Sequence, residues 1–203
     1  SAPCGASPLN ATIFSMPSDP DDPEKCAEPR ILAGFMRAVG EKRPQIVGFN
    51  STNADLPIIT QRAIVHGLRA PGFGERPNKP WEGADYFDSR NSDYNVDLCP
   101  MLGRFSQTPS LHQAASLSGI PGKMGVSGAS VADLWTEGKL RDIVEYNEYD
   151  AFTTFLLWAR VAHFANLLSD SQYDDEQARV RDLLAQEIEA GKEHLLPFVE
   201  EWD

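Results

Sequence analysis

The stretch VGFNSTNADLPII, residues 47–59, contains the change of pattern that decides the fold. The apolar run over 46–49 predicts a short buried strand, and the polar segment at 50–53 predicts a turn. The lone acid Asp55 follows, and apolar residues then return. An acid between a strand and a helix is either a metal ligand or a structural cap, because Asp is frequent in turns and at helix starts.

The rest of the chain predicts an α/β domain with more helix than strand. Apolar residues at helical spacing predict a helix over 29–43, closed by Pro44, and a second helix over 56–66. The segment 94–105 predicts a short strand that runs into a helix. Further helices are predicted over 110–120, over 130–168 with a break near Gly138, and over 174–203, where one apolar face contains Val180, Leu183, Leu184 and Ile188.

Two segments lack any regular period. Residues 1–30 are rich in Pro, Ser and Asp, and they predict a loop-rich N-terminal segment with one candidate strand at 11–16. Residues 70–92 combine Pro, Gly and charged residues, which predicts an exposed loop.

The composition narrows the class of protein. The net charge of −12 argues against binding nucleic acid through a broad basic face. It leaves room for an enzyme whose bound cations neutralise phosphate locally. The three cysteines are widely spaced and indicate neither a disulfide framework nor a zinc site. No apolar run is long enough to span a bilayer and no signal peptide is apparent, so we expect a cytoplasmic protein without membrane contact.

The stretch VEYNEYDAFTTFLLWAR supplies a second acid. Tyr146 and Asp150 are four residues apart, so on a helix both side chains lie on one face. In such a pair the carboxylate can hold a metal while the phenol hydrogen-bonds a metal-bound water. The apolar residues that follow predict a helix fixed in the core, which is a rigid support for a ligand. The structural alternative is a solvated or capping acid beside an unrelated tyrosine.

Together these stretches resemble the DEDD superfamily of 3′–5′ exonucleases. Residues 47–68 are similar to its second motif, N-x4-D-x-P followed by a helix. Residues 94–102 are similar to its intervening His-x-Asp-Leu segment. Tyr146 and Asp150 match the third motif, Y-x3-D, in the form typical of the DEDDy branch. The resemblance is to the bacterial group of predicted exonucleases related to the proofreading domain of family-B DNA polymerases.

The resemblance implies a ribonuclease-H-like (DnaQ-like exonuclease) α/β fold. It also implies a 3′–5′ exonuclease that acts on single-stranded 3′ ends, more on DNA than on RNA, and releases nucleoside monophosphates by two-metal hydrolysis with Mg²⁺ or Mn²⁺. By position, Asp55 and Asp150 match metal ligands, and Tyr146 matches the tyrosine that orients the attacking water. Asn50 matches the second-motif Asn near the substrate strand, and Asp97 matches the Asp of the intervening segment. Both are predicted to bind substrate, although the resemblance leaves the role of Asp97 open.

The chain departs from the family pattern at three places. The first motif, D-x-E, is not found, so we expect the chain to begin after the first strands of the fold. Ala54 stands where the family usually has Phe or Tyr, and Asn95 stands where it has His. The predicted division is therefore a loop-rich segment, 1–30, and an exonuclease-like domain, 31–203.

Two other interpretations remain open at this stage. Without the D-x-E acids, the same fold would serve as a non-catalytic module that binds nucleic acid or protein. A helical domain whose motif match is accidental is the third reading. Possible phosphate contacts are Arg62, Lys123 and Lys139, although solvated surface is the commoner role of such residues. Nothing in the sequence indicates an oligomeric state.

Overall fold

The computed structural model describes residues 13, 15, 17, 19–88, 92–103, 108–122, 124 and 130–202, and every structural statement below concerns these residues. No helix among them is long and apolar enough to cross a membrane.

The first half of the molecule is built around one pair of parallel strands. Helix α1 (Glu28–Lys42) leads into strand β1 (Ile46–Gly48), and helix α2 (Asp55–Val65) follows it. Strand β2 (Asn95–Asp97) pairs with β1 in parallel, with Gly48 opposite Asp97. Parallel pairing requires a long crossover, which α2 and the segment after it provide. The chain segments that leave both strands therefore begin at the same edge of the sheet.

The second half is helical. Helix α3 (Cys99–Leu102) is a single turn, and Ser110 begins α4 (Leu111–Leu117) with a capping box. Helix α5 (Val131–Thr136) is separated from the long α6 (Leu140–Phe164) near Gly138, whose φ of 73° suits glycine. The chain ends with α7 (Asp170–Glu189) and α8 (Leu196–Trp202).

Two apolar clusters form the core. The larger one joins α4, α6, α7 and α8, and its buried members include Phe152, Leu156, Leu184 and Phe198. The smaller one joins α1 and α2 to the crossover segment. Burying a large apolar side chain contributes about 1.5–3 kcal/mol to stability, so contacts of this kind hold α6 firmly in the core.

The helices predicted over 29–43, 56–66, 110–120 and 130–168 and the strands β1 and β2 are confirmed. The single helix predicted over 174–203 is wrong as one element: α7 ends at Glu189, Gly191 adopts a φ of 107°, and a 3-10 turn at Glu193–Leu195 leads into α8. The predicted apolar face lies on α7. The parallel sheet with its helices is compatible with the predicted ribonuclease-H-like α/β fold. The division at residue 30 stays a prediction. Most of the candidate strand at 11–16 lies outside the described residues, and Ile13 and Ser15 are not in a strand.

The prediction of an exposed loop over 70–92 is correct for most of residues 74–82, which are exposed, but wrong for 72–73, 84–86 and 92, which are buried. Phe73 and Tyr86 are buried, and their rings stack with centroids 5.6 Å apart. The segment also lies against α1: a Cβ at Gly40 would lie 2.2 Å from the carbonyl oxygen of Pro71. This segment has no regular apolar period from which its burial could be predicted. Its interior is formed by Phe73, Tyr86 and Phe87, which pack together.

Candidate active site

The turn after β1 brings Asp55 to the start of α2. Asn50 adopts a left-handed conformation, with φ 59°, and its carbonyl accepts hydrogen bonds from the amides of Asn53 and Ala54 at 3.2 and 3.0 Å. The turn folds back closely on the strand, because a Cβ at Gly48 would lie 2.6 Å from the Cβ of Ser51. Glycine at the end of the strand therefore permits the tight turn that places Asp55.

Asp97 fixes this turn from the neighbouring strand. Its side chain is buried, and the carboxylate accepts hydrogen bonds from the backbone amides of Asn50 at 2.7 Å, Thr52 at 3.0 Å and Cys99 at 3.1 Å. The parallel register makes these contacts possible, since Asp97 lies opposite the last residue of β1. These bonds favour a positioning role for Asp97, and direct contact with substrate stays a prediction.

The long helix α6 brings Asp150 and Tyr146 to the same site. Tyr146 and Asp150 lie one helical turn apart on α6, and the two side chains interact, since each shifts the pKa of the other. Helix α6 packs against β1, and the charge of Asp55 contributes to the raised pKa of Asp150. That the two carboxylates share one site stays a prediction. The backbone amide of Asn50 donates a hydrogen bond to Asp97, which connects the turn after β1 to β2.

The two carboxylates have raised pKa values. Desolvation is the largest cause for Asp150, and the charge of Asp55 adds to it, while the Tyr146 hydrogen bond opposes both. Asp55 is more exposed, but desolvation by the surrounding protein also raises its pKa, with a contribution from the charge of Asp97. Desolvation and the bond to Asp150 raise the pKa of Tyr146, so the phenol stays protonated at neutral pH.

Two of the cations predicted as phosphate contacts, Arg62 and Lys139, are paired with other acids. Arg62 forms a two-pronged ion pair with Glu28, at 2.6 and 2.5 Å, and Lys139 pairs with Glu137 at 2.7 Å. Lys123 lies outside the described residues. Within the described part of the chain, no positively charged side chain is among the causes that shift the pKa of Asp55 or Asp150.

The donor set suits a hard divalent cation but is incomplete. Carboxylate oxygens are the ligands that Mg²⁺ and Mn²⁺ prefer, and a bound cation would relieve the repulsion between Asp55 and Asp150. In the residues that the structure describes, no three His, Cys, Asp or Glu side chains converge into a metal-binding group. If a metal binds here, the two aspartates would provide only part of its ligands.

The comparison with known proteins agrees with the motifs. A family model described as a predicted 3′–5′ exonuclease related to the exonuclease domain of PolB matches residues 9–202. The chain belongs to this exonuclease family. Membership implies a nuclease that acts on nucleic acid. No curated protein matches the chain.

In this family member, one buried acid beside the site was not predicted from the sequence. Glu148 lies between the two motif residues on α6 but faces away from them. Its carboxylate accepts hydrogen bonds from Ser15, from Lys192 at 3.0 Å and from His194 at 2.8 Å. No local spacing could reveal these partners, because they come from both ends of the chain.

Asn95, the departure from the family's usual His, also has a defined role. It is buried, and its amide donates hydrogen bonds to the Tyr86 carbonyl at 3.0 Å and to the Thr52 hydroxyl at 3.5 Å. Asn95 thereby ties the turn after β1 to the crossover segment.

Proposed function

We propose that this chain acts as a metal-dependent 3′–5′ exonuclease of the DEDDy type on single-stranded 3′ ends. The observation that carries the proposal is the uncompensated charge of Asp55 and Asp150. Desolvation raises the pKa of both carboxyl groups, the charge of Asp55 adds to the shift at Asp150, and no cation among the described residues offsets it. Family membership supplies the reaction class. Single-stranded DNA is the expected substrate, and nucleoside monophosphates are the expected products.

Each residue has a distinct task in this proposal. Asp55 and Asp150 hold Mg²⁺ or Mn²⁺, which when bound activates water and stabilises charge on the phosphate and the leaving 3′ oxygen. Tyr146 remains protonated and donates to Asp150, so its oxygen can accept a hydrogen bond from the attacking water and orient it. Asp97 holds the turn that carries Asp55 and Asn50.

The acidity of the chain is consistent with metal-assisted binding of the phosphate. At a net charge of −12, the protein as a whole repels a nucleic-acid backbone. A divalent cation between Asp55 and Asp150 would reverse the local sign of the potential where the scissile phosphate binds. Asn50 stands at this edge and is the candidate for a polar contact with the terminal nucleotide.

The test combines metal binding with product release. Mn²⁺ is titrated into the wild-type chain by calorimetry, and nucleotide release is followed from a single-stranded DNA labelled next to its 3′ end. Losing several kcal/mol of charge stabilisation lowers the rate by about 10²–10³-fold, so Asp55→Ala and Asp150→Ala should each abolish measurable release. Asp142→Ala, an exposed acid on the same helix, is the matched control and should retain wild-type release.

A second candidate function is favoured by the incomplete donor set. The described residues contain no convergent group of three metal ligands, which suits a module that binds nucleic acid without cutting it. This candidate predicts that the wild-type chain binds single-stranded DNA but releases no nucleotide at any Mn²⁺ concentration. Release that depends on Asp150 would exclude it.

A further inference from the structure

A pocket of about 370 Å³ lies beside the start of α2, on the side of the crossover segment. Its volume is at the small end of the range for ligand sites, which suits one planar ring system rather than a large ligand. The lining residues come from the turn after β1, from one face of α2 and from residues 74–87. Those that matter here are Thr52, Thr60, Gln61, Arg76, Tyr86 and Phe87.

The pocket carries a stacking surface. The Arg76 guanidinium lies over the Phe87 ring, 4.9 Å from its centroid. The Phe87 ring makes an edge contact with Phe73, with centroids 5.5 Å apart. The backbone amide of Phe87 donates a hydrogen bond to Asp85 at 2.8 Å. Phe87 is half-buried and Arg76 is exposed, and an aromatic ring and a guanidinium plane are both groups on which nucleobases stack.

The rest of the lining is polar but not acidic. Thr52, Thr60 and Gln61 offer hydroxyl and amide groups, and the Thr60 hydroxyl already donates to the Leu56 carbonyl at 2.7 Å, which leaves its oxygen free to accept. Among the described lining residues there is one cation, Arg76, and no acid, although the chain has 30 acids against 18 lysines and arginines. The lining itself thus carries a positive rather than a negative side chain.

The pocket and the candidate active site share the turn after β1. Thr52 lines the pocket, and its backbone amide donates to Asp97 at 3.0 Å. The Asn95 side-chain amide donates hydrogen bonds to both Thr52 and Tyr86. The same short turn thus forms the pocket wall and delivers Asp55, so a group in the pocket and a phosphate at Asp55 can belong to one bound strand.

We propose that this pocket binds a nucleobase of the single strand whose 3′ end lies at Asp55 and Asp150. The base stacks on Phe87 and Arg76, and Thr52, Thr60 and Gln61 contact its polar edge. This inference rests on the proposed function, which supplies the strand. It adds a binding site that retains the strand by base stacking, separately from the metal-binding acids.

The experiment measures binding of single-stranded DNA with 2-aminopurine at each of the last four positions, in Ca²⁺, by anisotropy and by fluorescence quenching. Phe87→Leu keeps an apolar side chain but removes the ring, and Arg76→Gln removes the planar cation. The matched controls are Trp81→Leu and Arg69→Gln, exposed residues of the same chain region outside the pocket. Thermal unfolding of each variant tests the fold.

A stacked base is worth about 1–3 kcal/mol, so Phe87→Leu should weaken binding roughly 5- to 100-fold and remove the quenching at one position. The controls should bind as wild type. With an abasic site at that position, wild type and Phe87→Leu should bind equally, because the contact is already absent.

Two results would overturn the inference, and they are distinguishable. If wild type binds DNA and both pocket variants match the controls, the pocket does not hold a base while the proposed function stands. If wild type binds no single strand at all, the proposed function and the base site fail together. A penalty for Phe87→Leu that persists on the abasic strand would also overturn the inference, since it would not come from stacking.

Discussion

Asp150 and Glu148 lie two residues apart on α6, yet their surroundings are electrostatically opposite. A two-residue step turns about 200° around a helix, so the two side chains face different parts of the molecule. Burial by itself raises the pKa of Glu148, but hydrogen bonds from Ser15, Lys192 and His194 outweigh it and lower the pKa. Asp150 has a raised pKa, because it is desolvated and faces the charge of Asp55.

The contrast separates a structural acid from one that is available to a ligand. Lys192 forms an ion pair with Glu148 and His194 hydrogen-bonds it, and these contacts join the C-terminal end to α6. Among the described residues, the side chains that shift the pKa of Asp150 are Tyr146 and the acid Asp55, and no cation is one of them. An arrangement that costs stability when empty and gains it when a cation binds is typical of functional sites.

The largest expected effect is on stability at the structural acid. Glu148→Ala leaves the partly buried Lys192 and His194 without their shared partner, and removing one member of a buried ion pair costs about 3 kcal/mol. Urea denaturation of the metal-free chain measures the free energy of unfolding. Asn147→Ala, an exposed change on the same helix, is the control. A loss below about 1 kcal/mol would show that the ion cluster is dispensable.

The second effect is stabilisation by metal. At about ten times its dissociation constant, a cation that binds only the folded chain adds roughly 1.4 kcal/mol to the free energy of unfolding. Mn²⁺ should therefore raise the Tm of wild type and of the Asn147→Ala control, and EDTA should reverse the rise. Asp150→Asn and Asp55→Asn should abolish it. An equal rise in Asp150→Asn would place the metal elsewhere.

The third effect concerns pH and has opposite signs at the two acids. The lowered pKa of Glu148 means that it stabilises the fold above its ordinary value of 4.5, and that this stability is lost as pH falls through the lower folded pKa. The raised pKa of Asp150 means that its charge destabilises the fold at neutral pH, and that protonation above the ordinary 3.8 relieves this.

Relative to wild type, metal-free Asp150→Asn should be slightly stabilised at pH 7, by less than about 1 kcal/mol, and the gain should vanish in acid. Glu148→Gln should be destabilised at pH 7, and its deficit should shrink as the pH falls below 4.5. Denaturation series from pH 7 to pH 3 measure both differences. A stabilised Glu148→Gln at pH 7 would contradict the assignment of the two acids.

Local sequence was sufficient to predict the helical pairing of Asp150 with Tyr146, but it could not predict the partners of Glu148. Asp150 and Tyr146 are four residues apart, and helical geometry alone places them on one face. The strand, turn and helix around Asp55 are likewise encoded within a short window. The closeness of Asp55 to Asp150 was implied by the family resemblance, since no pattern in either window refers to the other.

The features that the sequence did not reveal depend on contacts between distant segments. The role of Glu148 requires Ser15 and the turn before α8, and a glutamate on a helix is solvated more often than buried. The pocket requires the crossover segment to fold inward through Phe73 and Tyr86. Irregular segments have no period, so their burial depends on tertiary packing that only the structure supplies.

The smallest expected effect is at a third acid, which tests whether partners alone explain the contrast. Glu28 on α1 is paired with Arg62 and His66 on α2, and these hydrogen bonds lower its pKa to about 2. Its partners resemble those of Glu148, but Glu28 and Arg62 are about 40% exposed, so water and salt screen them. Arg62→Ala should lower stability by much less than Glu148→Ala, and 0.5 M salt should remove most of the difference from wild type. Denaturation at low and high salt measures this. A salt-insensitive loss as large as that of Glu148→Ala would mean that pairing, not burial, sets the value of an acid in this fold.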